Sequence, residues 1–414
     1  MKIKISNILK YLVIVFCLSF IFTPFYPLQK MIFLIPILFF MLFFIGRVDK
    51  SYYLKIKNML FILLIIFFLD YLLSFSNDSD SYVRFFITHK IYVYIWPVIA
   101  LFYITRKRKA EEILNIVLFF LVISCIFTIR GNIIYPEASR LLAGSLEYYK
   151  NQTNLYKQMY IGGYDFIYAN VFLVLPLLNY YRETKYKKII ILLVISVLTI
   201  FTGAFTIAIM LLFCSLIFYF IRTKKLKKSL LLLSIILIII VLLKNPLLMF
   251  LSYIGEVIKA DIIVRRANEM LNGTYNSTYT GSRNRMTLYY NAILNIINSP
   301  ILGQILDKEN VLLSGHSNLL QFFEFYGLFG FTYIAYLFCF YRKIKKNITS
   351  SILRNQFKLY YLLVIIFISV DTINSSYCVG ISCFFIGPLL FLLSDFYYRK
   401  NKRGEIKNCS NYCL

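Results

Sequence analysis

Long apolar runs alternate with short basic connections along the whole 414-residue chain. Runs of roughly 15 to 22 apolar residues are what helices need to cross a hydrocarbon core about 30 Å thick. Twelve such runs are predicted as membrane spans, at approximately 8–26, 30–46, 59–76, 90–105, 113–129, 164–181, 188–202, 204–221, 229–244, 317–341, 357–374 and 378–397. The pattern therefore predicts an all-α polytopic integral membrane protein whose single transmembrane domain covers residues 1–414.

The apolar stretch from Ile189 to Ile221 is long for one span and short for two. Lysines lie on both sides of it, at positions 185, 187 and 188 before it and 224, 225, 227 and 228 after it. Basic clusters prefer the cytoplasmic face of a membrane. We therefore expect the stretch to cross twice and to turn at Thr202-Gly203.

Composition supports a membrane protein and excludes an ordinary cytosolic enzyme, a disordered chain and a small secreted scaffold. Apolar residues make up 60% of the chain and charged residues only 15%, against roughly 25% charged in a soluble domain. The 45 Lys and Arg exceed the 19 Asp and Glu, which gives a net charge of +26. With both termini in the cytoplasm, most of these cations fall on the cytoplasmic side of the membrane. The positive-inside rule therefore explains the charge excess, and no nucleic-acid partner is expected. The two long outer loops contain no cysteine, so no disulfide framework is predicted.

Two connections are long, and both are predicted to lie on the outer side of the membrane. The first covers residues 130–163 and the second covers 245–316. Loops of this length are usually functional or disordered. The second loop is expected to be ordered, because Pro246–Leu271 and Arg285–Asn298 have helical amphipathic patterns. We predict two helices lying on the outer membrane surface and a polar segment between them.

The second loop carries arginines where the positive-inside rule disfavours them, at Arg265, Arg266, Arg283 and Arg285. Arginine presents a planar fork of donors that binds phosphate in a bidentate manner. The alternative is that they pair with acidic residues of the same loop or with lipid headgroups. For Arg283 and Arg285, which lie close together, phosphate binding is the favoured interpretation.

Two titratable residues follow this loop directly. His316 lies at the junction with the tenth span, and its imidazole could take a proton from a hydroxyl group. Glu324 lies within that span, where an acid is costly and often functional. The alternatives are an interfacial histidine and a buried hydrogen bond from Glu324 to a neighbouring helix. Gly327 and Gly330 are expected to permit close packing. Asp78-Ser79-Asp80 looks like a metal-binding motif for sugar nucleotides, but its outward position makes a metal site unexpected.

Four stretches in this region resemble motifs of the bacterial O-antigen polymerases and O-antigen ligases. They are Thr280–Tyr289 (TGSRNRMTLY), Ser299–Gly303 (SPILG), His316–Gln321 (HSNLLQ) and Gly327–Gly330 (GLFG). Their order and spacing behind a large outer loop carry the resemblance. Three positions depart from the family pattern. An expected arginine is missing from Thr202–Phe205, an expected second glycine is Ile305, and the acid expected two residues before Gly327 is Phe325, with Glu324 one place earlier.

The resemblance implies a GT-C-like membrane glycosyltransferase that needs neither metal nor cofactor. Its substrates would be glycans linked to undecaprenyl diphosphate at the outer face of the bacterial inner (plasma) membrane, and a chain-length regulator is a possible partner. Arg285 and Arg283 would hold the diphosphate, and His316 would be the catalytic base. Arg266, Arg265 and Arg140 are expected to hold diphosphate or anionic sugars. Glu324 and Asn318 are expected to support the site.

Two other functions remain open at this point. An O-antigen ligase, which transfers finished polymer to lipid A–core, shares the visible motifs. A lipid-linked oligosaccharide flippase would also have about twelve spans. The flippase is disfavoured because the large arginine-bearing loop does not suit it and because no paired inverted halves are visible.

Overall fold

The structure is a computed structural model that describes most of the chain from residue 110 onward. It describes residues 110–136, 138–142, 150–203, 206–221, 244–257, 285–303, 317–370 and 377–403, together with Leu12, Thr23, Pro24, Phe61, Ile65, Val264, Ala267, Asn268 and Leu271. The predicted spans at 8–26, 30–46, 59–76, 90–105 and 229–244 therefore lie outside the described residues, apart from isolated positions.

The described segments are helical, and no strand occurs among them. In chain order the helices are α1 (Ala110–Ile134), α2 (Ala138–Leu141), α3 (Lys150–Gln158), α4 (Tyr164–Thr184), α5 (Lys188–Thr202), α6 (Thr206–Phe220), α7 (Lys244–Val257), α8 (Arg285–Asn298), α9 (Asn318–Tyr326), α10 (Phe331–Asn347), α11 (Ser351–Val370), α12 (Tyr377–Ile381) and α13 (Gly387–Arg403). A 3₁₀ turn (Gly327–Gly330) joins α9 to α10, and a π-helical segment (Ser382–Ile386) joins α12 to α13.

Three described helical stretches are long and apolar enough to cross a membrane, namely Ile113–Ile134, Ser351–Ser369 and Cys378–Lys402. Helices α5 and α6 are apolar but shorter. The core forms around α4, which packs against α5, α6, α12 and α13. Helix α4 is apolar on nearly all sides, and such a helix is stable only when it is surrounded by other helices. Its buried Asn170 and Asn179 donate from their amide groups to the carbonyls of Phe166 and Leu175, which gives these buried N–H groups partners inside the core.

The predicted break in the apolar stretch after residue 188 is confirmed. Helix α5 ends at Thr202, and the Gly203 N–H donates to the Thr199 carbonyl as the helix terminates. A β-carbon on Gly203 would lie 2.7 Å from the Ile167 side chain, so glycine lets the break pack directly on α4. The helices before and after this break, α5 and α6, both pack against α4.

The prediction of a single tenth span over 317–341 is wrong. The chain forms α9, the 3₁₀ turn and α10 instead, because Gly327 adopts φ = 53° and stops the first helix. Helix α11 begins at Ser351, six residues before its predicted start. The apolar pattern located the apolar part of α11 but missed its polar first two turns. The predicted bounds of α8 are confirmed, and it ends at Asn298 as the following Ser299-Pro300 indicated.

Candidate active site

The structure describes the sequence-predicted site residues to different extents. His316, Arg283, Arg265 and Arg266 lie outside the described residues. Arg285, Asn318 and Arg140 belong to described helices, α8, α9 and α2, but their side chains are not among the described ones. Glu324 is described completely. What the structure provides is therefore the helices that carry these groups and the contacts between those helices.

Glu324 is fully buried in α9 and bonds to a residue of α8. The Asn295 side-chain Nδ2 donates to Glu324 Oε1 at 2.6 Å. A buried carboxyl group is costly unless it is hydrogen-bonded, so this contact stabilises the acid at its position. It also attaches the helix that begins at Arg285 to the helix that follows His316. Sequence reasoning left open a hydrogen bond from Glu324 to a neighbouring helix, and the structure identifies Asn295 as a partner.

Asn295 was not predicted as a site residue. It lies between Ala292, which is fully buried, and Ser299, at the i−3 and i+4 positions that share one face of a helix. This narrow face of small and polar residues is the side of α8 that packs inward. Ile293, one of the apolar residues of the predicted amphipathic pattern, is 46% exposed. The small and polar residues spaced along one side of α8 could have indicated this packing face in the sequence. The larger apolar residues of α8 dominate its pattern, so this face was missed.

A second contact joins the SPILG stretch to the GLFG stretch. The Leu328 N–H donates to the Ile301 carbonyl at 3.2 Å. A β-carbon on Gly327 would lie 2.6 Å from the carbonyl oxygens of both Pro300 and Ile301. Only glycine allows the two backbones to approach this closely. The predicted role of Gly327 in close packing is thus confirmed, although the contact is with a turn and not with the side of a helix.

The turn on the other side of this contact also depends on glycine. The Gly303 N–H donates to the Ser299 carbonyl at 2.9 Å, and Gly303 has φ = 58°. L-residues with side chains rarely adopt this conformation. Two motifs that are separated in the sequence therefore form one backbone contact, with a left-handed glycine in each.

Both contacts lie near the C-terminal ends of the two helices. Asn295 of α8 meets Glu324 of α9, and Ile301 and Leu328 meet in the turns that follow the helices. The ends of α8 and α9 are therefore joined, and the chain runs in the same order through both contacts. At 1.5 Å per residue, the start of α8 is about 15 Å and the start of α9 about 10 Å from the Asn295–Glu324 bond.

The start of α9 is fixed by a side-chain cap. Ser317 is buried, and its Oγ accepts a hydrogen bond from the Leu320 N–H at 3.2 Å. The N–H groups at a helix start favour an anion. The start of α9 and the start of α8, which begins with an arginine, are therefore candidates to bind a phosphate-type anion. His316 is the residue immediately before the cap.

The connection between α1 and α4, predicted as the first outer loop, is anchored to the end of α1 by a separate group of buried polar residues. The Gly162 N–H donates to Thr128 Oγ1 at 2.9 Å, and Ser139 Oγ donates to the Gly162 carbonyl at 2.6 Å. The Ser139 N–H also donates to Asn132 Oδ1 at 3.3 Å. These bonds fix α2, which carries Arg140, against α1 and α4. Arg140 is thus on an ordered helix.

The exposed sides of the outer-loop helices are apolar. In α8, Tyr290 and Ile297 are 61% and 65% exposed, and in α7, Met249 and Tyr253 are 62% and 63% exposed. A helix that lies on a membrane surface needs such an apolar side. The pattern agrees with the predicted amphipathic character of both segments.

A buried carboxylate far along the chain was missed by sequence reasoning. Asp395 of α13 accepts hydrogen bonds from the N–H groups of Thr349 and Ser350 at 3.1 and 2.8 Å. It also forms an ion pair with Arg399, at 3.1 Å. Because its oxygens are engaged in this way, Asp395 fastens the connection between α10 and α11 to α13 and has a structural role. An aspartate next to a basic helix end carried no distinctive sequence signal.

No protein-family model matches the chain, and no curated protein matches it significantly. The function must therefore be inferred from the residues of the chain and from the geometry of its site.

Proposed function

We propose that this protein polymerises oligosaccharide repeat units linked to undecaprenyl diphosphate into an O-antigen or capsular-type polysaccharide. The observation that carries the proposal is the packing of α8 on α9 through Asn295–Glu324 and Ile301–Leu328. This packing joins motif stretches that resemble the O-antigen polymerases, and in the proposal the starts of both helices lie on one side of it. A site built from Arg285 and His316 requires that arrangement.

The proposed chemistry is the displacement of a diphosphate at an anomeric carbon. A sugar hydroxyl of one repeat unit attacks that carbon, the bond from carbon to the diphosphate oxygen breaks, and undecaprenyl diphosphate leaves. Arg285 and Arg283 stabilise the negative charge that grows on the leaving group. His316 accepts the proton of the attacking hydroxyl. Arg140, Arg265 and Arg266 bind further anionic parts of the substrate.

In this proposal about twelve spans form a GT-C-like domain in the bacterial inner membrane, with both termini in the cytoplasm. The substrate diphosphate lies at the outer face, near the starts of α8 and α9, and its lipid tail lies among the helices. Glu324, through Asn295, and Asn318 support the geometry of the site. A chain-length regulator is a possible partner.

The first test is a glycan ladder gel from a polymerase-null strain that carries this gene. Wild type is expected to restore a ladder, and His316→Ala at equal membrane level is expected to give only single repeats. The matched control is His89→Ala, which changes the other histidine of the chain and is expected to leave the ladder intact. A ladder from His316→Ala would remove this residue from the mechanism but leave the polymerase function in place.

A second test separates polymerisation from the alternatives. Purified protein in detergent, given lipid-linked repeat units, is expected to form longer lipid-linked chains without any membrane gradient. A flippase would leave the chain length unchanged in this assay. A ligase would instead transfer glycan only when a lipid A–core acceptor is added.

A further inference from the structure

A groove of about 370 Å³ runs between α10 and α11 and is open on one side. Its wall is apolar and includes Leu319, Leu337, Phe338, Tyr341, Tyr361 and Ile365. Tyr361 is buried and its hydroxyl donates to the Leu337 carbonyl at 2.6 Å, so the two helices are held together at the base of the groove. Phe338 and Ile365 are 58% and 40% exposed on its open side. Such an apolar groove with an open side can take up an apolar chain.

The length of the groove corresponds to one leaflet of a membrane. Lys358 and Ser369, both of α11, lie at its two ends. Eleven residues of helix rise by about 16 Å, which is about half of a hydrocarbon core roughly 30 Å thick. The groove can thus accommodate an acyl chain of a lipid in one leaflet.

Among the described residues that line the groove, the charged one is Lys358, at one end. Lys358 lines this end, and the charges of Lys345 and Arg354 lie close enough to act on it. Lys345 Nζ lies 5.3 Å from the ring centre of Tyr341, which also lines the groove. In the part of the chain that the structure describes, neither lysine forms an ion pair with a carboxylate. Lys358 Nζ donates to Asn355 Oδ1 at 3.2 Å, which is a neutral partner.

We propose that this groove binds one anionic glycerophospholipid. Its phosphate lies between Lys345 and Lys358, and one of its acyl chains extends along the apolar wall toward Ser369. The charge pattern predicts that this basic end faces the cytoplasm, where anionic headgroups attract lysines near the membrane surface. The lipid matches the groove in charge, because its phosphate lies at the basic end. It also matches the groove in length, because its acyl chain spans one leaflet. This inference does not depend on the proposed enzymatic function.

The position of the cations distinguishes this lipid from a polyprenyl substrate. Leu319, the groove residue nearest in sequence to the candidate active site, belongs to α9 and not to the basic end. A polyprenyl diphosphate bound at that site would place its phosphates near the starts of α8 and α9. Those phosphates would lie away from the two lysines, whereas a phospholipid whose headgroup lies on the basic side brings its phosphate to them.

The test is native mass spectrometry of the full-length protein, exchanged into micelles that contain equal amounts of phosphatidylglycerol and phosphatidylcholine. Wild type is expected to retain phosphatidylglycerol in strong preference. Each lysine near an anionic headgroup contributes a factor of roughly five, so Lys345→Gln combined with Lys358→Gln is expected to lower the preference roughly 25-fold. The matched control is Arg342→Gln combined with Lys346→Gln, which removes the same charge from exposed positions of α10 and is expected to keep the preference.

A groove variant tests the apolar half of the site. Ile365→Trp fills the groove without changing a charge and is expected to reduce the amount of retained phosphatidylglycerol. The proposal is overturned if wild type retains both lipids equally, or if the double lysine variant behaves as wild type. It is also overturned if an equal concentration of undecaprenyl phosphate displaces the phosphatidylglycerol, because the groove would then belong to a polyprenyl lipid.

Discussion

Replacing Gly327 with alanine is expected to destabilise the junction between α8 and α9. Gly327 has φ = 53° and ψ = −130°, a conformation that alanine adopts only with strain of about 1–3 kcal/mol. The new methyl group would also lie 2.6 Å from backbone atoms of Pro300 and Ile301, which cannot rotate away as a side chain can. Such overpacking costs typically about 1–3 kcal/mol. The sum of about 2–6 kcal/mol is a large part of the roughly 5–15 kcal/mol that stabilises a native protein.

The assay is thermal denaturation in detergent, followed by the height of the monodisperse peak in size-exclusion chromatography. Gly327→Ala is expected to lower the midpoint by about 5 °C or more. Gly330→Ala is the matched control, because Gly330 has φ = −56° and a β-carbon there would lie 2.9 Å from a ring atom of Phe323 and no closer than 3.1 Å to backbone atoms. It is expected to have a much smaller effect. If Gly327→Ala melts at the wild-type temperature, the backbone contact between the two turns is not formed as described.

Two further perturbations address the buried carboxyl groups. Asn295→Asp places a second carboxyl beside Glu324 and is expected to abolish the glycan ladder. Adding Glu324→Gln to this variant restores a donor–acceptor pair and is expected to recover much of the ladder. Equal ladders from the single and double variants would contradict the contact. Asp395→Asn removes the charge that binds Arg399 and is expected to cost roughly 3 kcal/mol, seen as a lower melting midpoint. Ser394→Ala, which removes only a bond to the backbone of its own helix, is the control, and the same midpoint for both variants would argue against the role of Asp395.

Charge and apolarity predicted some helix boundaries well. The separation of α5 from α6 at Gly203 followed from the lysine clusters that flank the stretch, because charge placement restricts how often a chain can cross. The end of α8 at Asn298 followed from Ser299-Pro300, since proline disfavours a helical conformation in the residue before it. Both predictions depended on local information, which a single sequence contains.

The boundaries that were missed depend on distant residues. The apolar pattern continues through Gly327, but the helix stops there because this glycine approaches Pro300 and Ile301, far back in the chain. The early start of α11 at Ser351 depends on Asp395, which binds the N–H groups of the preceding residues from another helix. Likewise, Glu324 was recognised as unusual, but its partner Asn295 could be found only once α8 and α9 were packed together.

The packing of α8 on α9 lets residues far from the proposed site affect the positions of its catalytic groups. The fixed contacts lie at Asn295–Glu324 and at Ile301–Leu328, whereas the proposed arginine and histidine lie at the opposite, starting ends of the two helices. A change of about 5° in the angle between the helices would move the start of α8, about 15 Å away, by about 1.3 Å. A misplacement of about 1 Å can lower a catalytic rate about 100-fold. Variants at Gly327 or Asn295 that still fold are therefore expected to lose activity out of proportion to their loss of stability.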